Sequence, residues 1–180
     1  MRIKVDETVG LVIDVQDKLL PHMADNKGMI DNMTRLIRGL NELGLPLLIT
    51  EQYRKGLGDT VKEVKDHIVD FHPMEKMSFS CCDDTAIQKN IDDSHRKNVI
   101  ICGIEAHVCV LQTTIDLLEK GFRPVIIEDC TSSRKLSDKA IAVQRMRQEG
   151  AIISSYESVL FELARVSGTT TFKSISKLVK

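Results

Sequence analysis

The sequence predicts an α/β protein: a three-layer, Rossmann-like open sheet of about six mainly parallel strands with helices on both faces. Short β-branched runs alternate with longer segments of helical period along the whole chain. Several runs, Val9-Gly10-Leu11-Val12-Ile13 among them, are apolar throughout rather than alternating, as strands covered on both faces are. Strand, helix and strand in succession means parallel pairing through right-handed crossovers. The 180 residues, 42% hydrophobic and 28% charged, suffice for one buried core, so residues 1–180 read as a single domain.

The run from Val9 to Ile13 is the first strand, and Asp14 follows it directly. Ile30, Met33, Ile37 and Leu40 recur at helical steps, so residues 30–43 form a helix that Gly44 stops. Leu45-Pro46-Leu47-Leu48-Ile49-Thr50 is the second strand, and residues 51–60, with two glycines, read as a loop. His72-Pro73 breaks any helix within 61–82 and leaves room only for a short strand within 74–79. Asp83 or Asp84 caps a helix running to about Ser94, and Val99-Ile100-Ile101-Cys102-Gly103 returns to a buried strand. Val108, Leu111, Ile115 and Leu118 place a helix over 107–120, with Cys109 in its first turn and Gly121 at its end. Val125-Ile126-Ile127 is a strand. Ser132 or Ser133 caps a helix carrying Leu136, Ala140, Val143 and Met146, and Gly150 ends it before the strand Ala151-Ile152-Ile153. One or two further helices complete the chain. Ligands of such a sheet bind beyond the carboxyl ends of the strands, at the switch in strand order. Asp14 and residues 103–109 lie at such ends.

Composition narrows the function classes. The 25 Lys and Arg against 26 Asp and Glu leave a net charge of −1 with no basic run, so nucleic acid is not expected as a partner. No stretch approaches the roughly 20 apolar residues of a membrane span, and the N-terminus turns acidic before any apolar run of signal-peptide length. The expectation is a cytoplasmic protein without membrane partners. Five cysteines, Cys81, Cys82, Cys102, Cys109 and Cys130, show no CxxC spacing and read as free thiols. The five histidines form neither HxH nor HExxH, and no GxGxxG follows the first strand, so neither a metal nor another cofactor is expected.

Chemistry concentrates at Cys109 and Asp14. A cysteine in the first turn of a helix sits at the positive end of the helix dipole, which favours thiolate; the alternative is a small buried hydrophobe. The segment Gly103-Ile104-Glu105-Ala106-His107-Val108-Cys109 runs from strand end to helix start, where backbone N–H groups gather and can hold an oxyanion. Asp14, at the end of an apolar strand, reads either as a buried proton-transfer group or as a turn cap. His107 lies two residues from Cys109, so on a helix the two side chains do not face each other.

Four segments together resemble the isochorismatase-like cysteine hydrolases, a family that includes nicotinamidases and N-carbamoylsarcosine amidases. They are Leu11-Val12-Ile13-Asp14-Val15-Gln16, Lys76 before Ser78-Phe79-Ser80, Gly103-Ile104-Glu105-Ala106 leading to Cys109, and Asp129-Cys130-Thr131-Ser132-Ser133-Arg134. The resemblance implies a catalytic triad of Asp14, Lys76 and Cys109. It also implies a non-proline cis peptide between Ile104 and Glu105, placing the Glu105 and Cys109 N–H groups at the oxyanion. The stretch Thr50-Glu51-Gln52-Tyr53 and the tail Phe172-Lys173-Ser174-Ile175-Ser176-Lys177-Leu178 look most like the isochorismatase domain-containing subgroup.

Nicotinamidases carry an Asp and several His ligands after the second strand, where this chain has Glu51-Gln52-Tyr53-Arg54-Lys55-Gly56-Leu57-Gly58. The implied activity is therefore that of a metal-independent cysteine hydrolase, acting on a small amide or related carbonyl substrate through a thioester. Isochorismate itself is a poor substrate for such chemistry, because a vinyl ether offers a thiolate no acyl carbon. Gln16, Glu51, Tyr53, Phe79 and Glu105 are the substrate-pocket candidates. The competing reading is a catalytically silent scaffold or small-ligand binding module on the same fold. Homo-oligomerisation is expected from the resemblance.

Overall fold

Thr8–Ile13 forms β1, buried at every residue, and is one of the two central strands of a six-stranded sheet in the computed structural model, which describes residues 2–180. The others are β2 (Leu47–Gln52), β3 (Pro73–Lys76), β4 (Asn98–Ile104), β5 (Arg123–Ser132) and β6 (Ile152–Ser154), in the order β3-β2-β1-β4-β5-β6. Every neighbouring pair is parallel. The fold class expected from the alternating pattern is the one observed.

Among the described residues eight α-helices accompany the sheet: α1 (Asn26–Glu42), α2 (Arg54–Leu57), α3 (Lys62–Lys65), α4 (Thr85–Asp93), α5 (Leu111–Glu119), α6 (Leu136–Glu149), α7 (Tyr156–Ala164) and α8 (Thr170–Leu178). Successive strand residues point to opposite faces, and this sorts the apolar side chains into two cores. Val9, Leu11 and Ile13 pack with Ile87 and Ile91 of α4, Leu117 of α5 and Met146 of α6. Val12 and Ile100 pack with Met33, Ile37 and Leu40 of α1, Leu160 of α7 and Ile175 of α8. Helices thus cover both faces. None of them, among the described residues, is long and apolar enough to cross a membrane.

Several boundaries differ from the sequence expectation for physical reasons. Glu51 and Gln52 belong to β2, and the supposed loop contains α2. The strand expected at 125–127 runs from Arg123 to Ser132, because pairing with β4 continues past a register shift between Ile101 and Gly103. Neither Ser132 nor Ser133 caps α6. The cap position is Lys135, while the Ser132 hydroxyl donates to the Ala24 carbonyl (2.5 Å) and Ser133 pairs with His107. Asp84, not Asp83, caps α4, accepting from the N–H groups of Ala86 and Ile87. The helix over 107–120 opens with a wide π turn, Ala106–Val110, before α5 begins.

The strand order reverses between β1 and β4, the switch point at whose carboxyl ends ligands of such sheets bind. Gly103 permits the close approach there. Paired with Ile13, it has φ +128°, and a Cβ would stand 2.1 Å from the Ile13 carbonyl oxygen. Both the dihedral and the space exclude a side chain. Gly103→Ala is expected to cost more than about 2 kcal/mol of stability, read as a lower urea midpoint with unchanged slope. A variant as stable as the parent would refute the close-approach account.

Candidate active site

Asp14 leaves β1 in the left-handed region, φ 53°, a conformation that Asp tolerates better than most residues. Its N–H donates to the Thr50 carbonyl (3.1 Å), and the Thr50 hydroxyl donates to Oδ1 of its carboxylate (2.7 Å). The other oxygen, Oδ2, accepts from the Lys76 ammonium at 2.7 Å. The carboxylate therefore caps no turn. Both side chains are inaccessible to solvent.

Lys76 ends β3, and its long side chain is held on every side. Besides Asp14, its Nζ donates to Gln52 Oε1 (2.7 Å) and lies within reach of the carbonyls of Phe79 (3.1 Å) and Ser78 (3.2 Å). The Ser80 hydroxyl ties this loop to Asp116 of α5. Burial works against the ammonium, but the Asp14 carboxylate, followed by Cys109 and Cys81, outweighs it and holds the Lys76 pKa above its ordinary value. Lys55, by contrast, is exposed.

Cys109 lies in the π turn that follows β4 and is 6% exposed. The peptide preceding that turn, Ile104–Glu105, is cis. Burial pushes the Cys109 thiol up to about 12, and the Asp14 carboxylate adds to the effect while Lys76 opposes it. Desolvation and a neighbouring carboxylate thus act against the ionisation that a helix start alone would favour. Cys81, fully buried, shares the cluster, with its thiol raised to about 11 by burial against the pull of Lys76.

Two pocket candidates hydrogen-bond within the scaffold. Gln16 is fully buried and spends its amide on Gln52 and Gly58, and Glu51 accepts from the N–H and hydroxyl of Thr60, both at 2.7 Å. The other Glu51 oxygen, Oε2, lies 3.4 Å from Arg54 Nε. Glu105 reaches Arg134, its Oε2 accepting from both the backbone N–H (3.1 Å) and Nε (3.0 Å). Tyr53 and Phe79 are 44% and 54% exposed. Sequence reasoning passed over Thr50 and Gln52. Their spacing of two along β2 was the available signal, since it puts both on one face of the sheet. Among the described residues no group of three or more His, Cys, Asp or Glu side chains is arranged to hold a metal ion.

The isochorismatase domain model matches residues 8–158. Isochorismatase domain-containing protein 2A of Mus musculus is 35% identical over 180 residues, covering 99% of this chain and 85% of that protein. The structure of MAR1 ribonuclease from Caenorhabditis elegans matches with a TM-score of 0.93 at 37% identity, covering 99% of this chain and 92% of that one. The YcaC gene product of Escherichia coli, described as an octameric hydrolase of unknown specificity, shares the fold with a TM-score of 0.93 at 23% identity, covering 99% and 89%.

The raised thiol has a consequence for stability. Between its usual value of 9.0 and about 12, the unfolded chain has released the Cys109 proton and the native chain has not. Stability from this group is therefore complete below that window and falls as pH rises through it. Urea denaturation at about pH 8 and about pH 10.5 is expected to show Cys109→Ala losing less stability than the parent across the interval. Equal losses would refute the assignment.

Proposed function

Because the chain belongs to the isochorismatase family of hydrolases, we propose that it is a metal-independent cysteine hydrolase of small amides or related carbonyl compounds. One observation carries the reading: a sealed ion pair, Asp14–Lys76 at 2.7 Å, stands beside a buried thiol at the switch point of the sheet. A carboxylate that raises a thiol's pKa is also the base that can accept its proton.

In the proposed cycle Asp14 takes the Cys109 proton as the substrate arrives, and the sulfur forms a bond to the carbonyl carbon. The N–H groups of Glu105 and Cys109 hold the oxyanion of the tetrahedral intermediate. Its collapse expels the amine, which leaves with the proton from Asp14, and a thioester remains on Cys109. Asp14 then takes a proton from water as the hydroxide attacks the thioester. The acid departs, and the Asp14 proton returns to sulfur. Lys76 offsets the negative charge that moves between Asp14, Cys109 and the oxyanion. Tyr53 and Phe79 flank the groups that grip Lys76, and we assign their exposed rings, with Met77 at 68% exposure, to the mouth of the pocket. Glu105 supports the turn through Arg134.

The cysteines are all free, which favours a reducing, cytoplasmic location. Leu136 and Ile141, 63% and 67% exposed on α6, and the octameric E. coli relative support a homo-oligomer. A second reading, cleavage of RNA, has the name of the C. elegans neighbour in its favour.

The test is a panel of small acyl amides read by intact mass. A Cys109 acyl adduct that hydroxylamine removes is expected in the parent and absent from Cys109→Ala, with turnover falling by about 10²–10⁴ in Asp14→Asn. Ligand-induced stabilisation without turnover of any amide would favour the silent binding module. Degradation of RNA by the parent but not by Cys109→Ala would favour the second reading. Light scattering is expected to give a mass of at least two chains; a monomer would overturn the oligomer.

A further inference from the structure

Three donors on the Lys76 ammonium face four acceptors. Only Asp14 among them is charged, yet the Gln52 amide oxygen lies equally close, at 2.7 Å. The two shortest of the four contacts are therefore of different kinds: a carboxylate that shares the ammonium's charge and an amide dipole that does not.

The orientation of that amide is determined by its neighbours. Gln52 Nε2 donates to the Met77 carbonyl at 2.8 Å. Rotating the amide by half a turn would set an NH₂ group against the ammonium and an oxygen against a carbonyl, losing both bonds. The backbone of Gln52 is fixed as well, by a side chain acting as a strand would: Gln16 Oε1 accepts from the Gln52 N–H (2.8 Å) and Gln16 Nε2 donates to the Gln52 carbonyl (3.0 Å). The same Nε2 reaches the Gly58 carbonyl at 2.7 Å, which closes residues 52–58 over the contact. Gln16 stands two residues after Asp14. One short segment therefore grips Lys76 twice, directly through Asp14 and indirectly through Gln16 and Gln52.

We propose that Gln52 is a positioning residue that holds the Lys76 ammonium where it can stabilise the Cys109 thiolate, and that Gln16 acts through Gln52 to the same end. The inference rests on the triad reading and adds to it two residues that touch no reacting atom. An amide suits the task better than a second carboxylate would. It accepts a hydrogen bond from the ammonium without adding a second negative charge to the one Asp14 already sets against it. Among the groups that act on Cys109, Lys76 is the one that favours the thiolate against burial and Asp14.

Alkylation of Cys109 by iodoacetamide, followed across pH by peptide mass spectrometry in the full-length protein, tests this without knowledge of the substrate, because the rate follows thiolate content. Lys76→Met is expected to move the midpoint furthest upward. Gln52→Met, which keeps the size and removes the acceptor, is expected to slow alkylation about tenfold at fixed pH, a midpoint shift of about one unit. Gln52→Glu is expected to raise the midpoint as well, and by more in the parent than in the Lys76→Met background, because an effect carried by the ammonium is lost with it whereas the direct effect of a new carboxylate on the sulfur is not. Gln16→Met is expected to shift in the same direction and to add nothing in the Gln52→Met background. Thermal melts check that each variant is folded, and Gln52→Glu decides if Gln52→Met is not. A shifted profile in Lys76→Met with unmoved profiles in the Gln52 variants overturns this inference and leaves the triad. An unmoved profile in Lys76→Met overturns both. Full additivity of the Gln16 and Gln52 changes overturns the relay through Gln52.

Discussion

The buried ion pair between Lys76 and Asp14 is the constraint around which this end of the molecule is arranged. An ammonium and a carboxylate shut away from water are tolerable only when their remaining hydrogen-bonding capacity is met. The fold meets it with specific parts: the Thr50 hydroxyl for the second carboxylate oxygen, the Gln52 amide and the carbonyls of residues 78 and 79 for the ammonium. Strands β1, β2 and β3 must lie side by side for these groups to meet, as they do. Removing either charge would strand the other.

Electrostatics at the sulfur follow from the same pair. Lys76 pulls toward thiolate, whereas Asp14 and the dry surroundings pull toward thiol, and the second set prevails. A thiol raised by burial and a neighbouring carboxylate differs in kind from a cysteine that its surroundings ionise.

What the sequence made legible and what it concealed divide along physical lines. Strands such as β1 and β4 are apolar at nearly every position, and helices such as α1 repeat their buried residues at steps of three and four, so pattern alone located them. Strand β5 misled because Glu128 and Asp129 interrupt its apolar run, although pairing with β4 resumes at Thr131 and Ser132. Asp14 and Cys109 stood at strand and helix ends and were legible from position. Lys76 was legible only through the family resemblance, since a lysine beside a short strand ordinarily points to solvent. Gln16 and Glu51 show a related ambiguity: a polar residue at a strand's end reads the same whether it awaits a ligand or braces a neighbouring segment. Gln52 went unmarked on the same ground.

Lys76 is the last residue of β3, and β3 is a four-residue edge strand with β2 as its single sheet neighbour. Edges of sheets open and close far more often than centres, and they do so without the rest of the domain following. The Lys76 ammonium is therefore mounted on an edge strand of the sheet, while Asp14 and Cys109 follow its two central strands. On the function proposed above, the proportion of competent molecules would follow how tightly that edge is pinned, and two chains of equal overall stability would differ in competence if their edges frayed to different degrees.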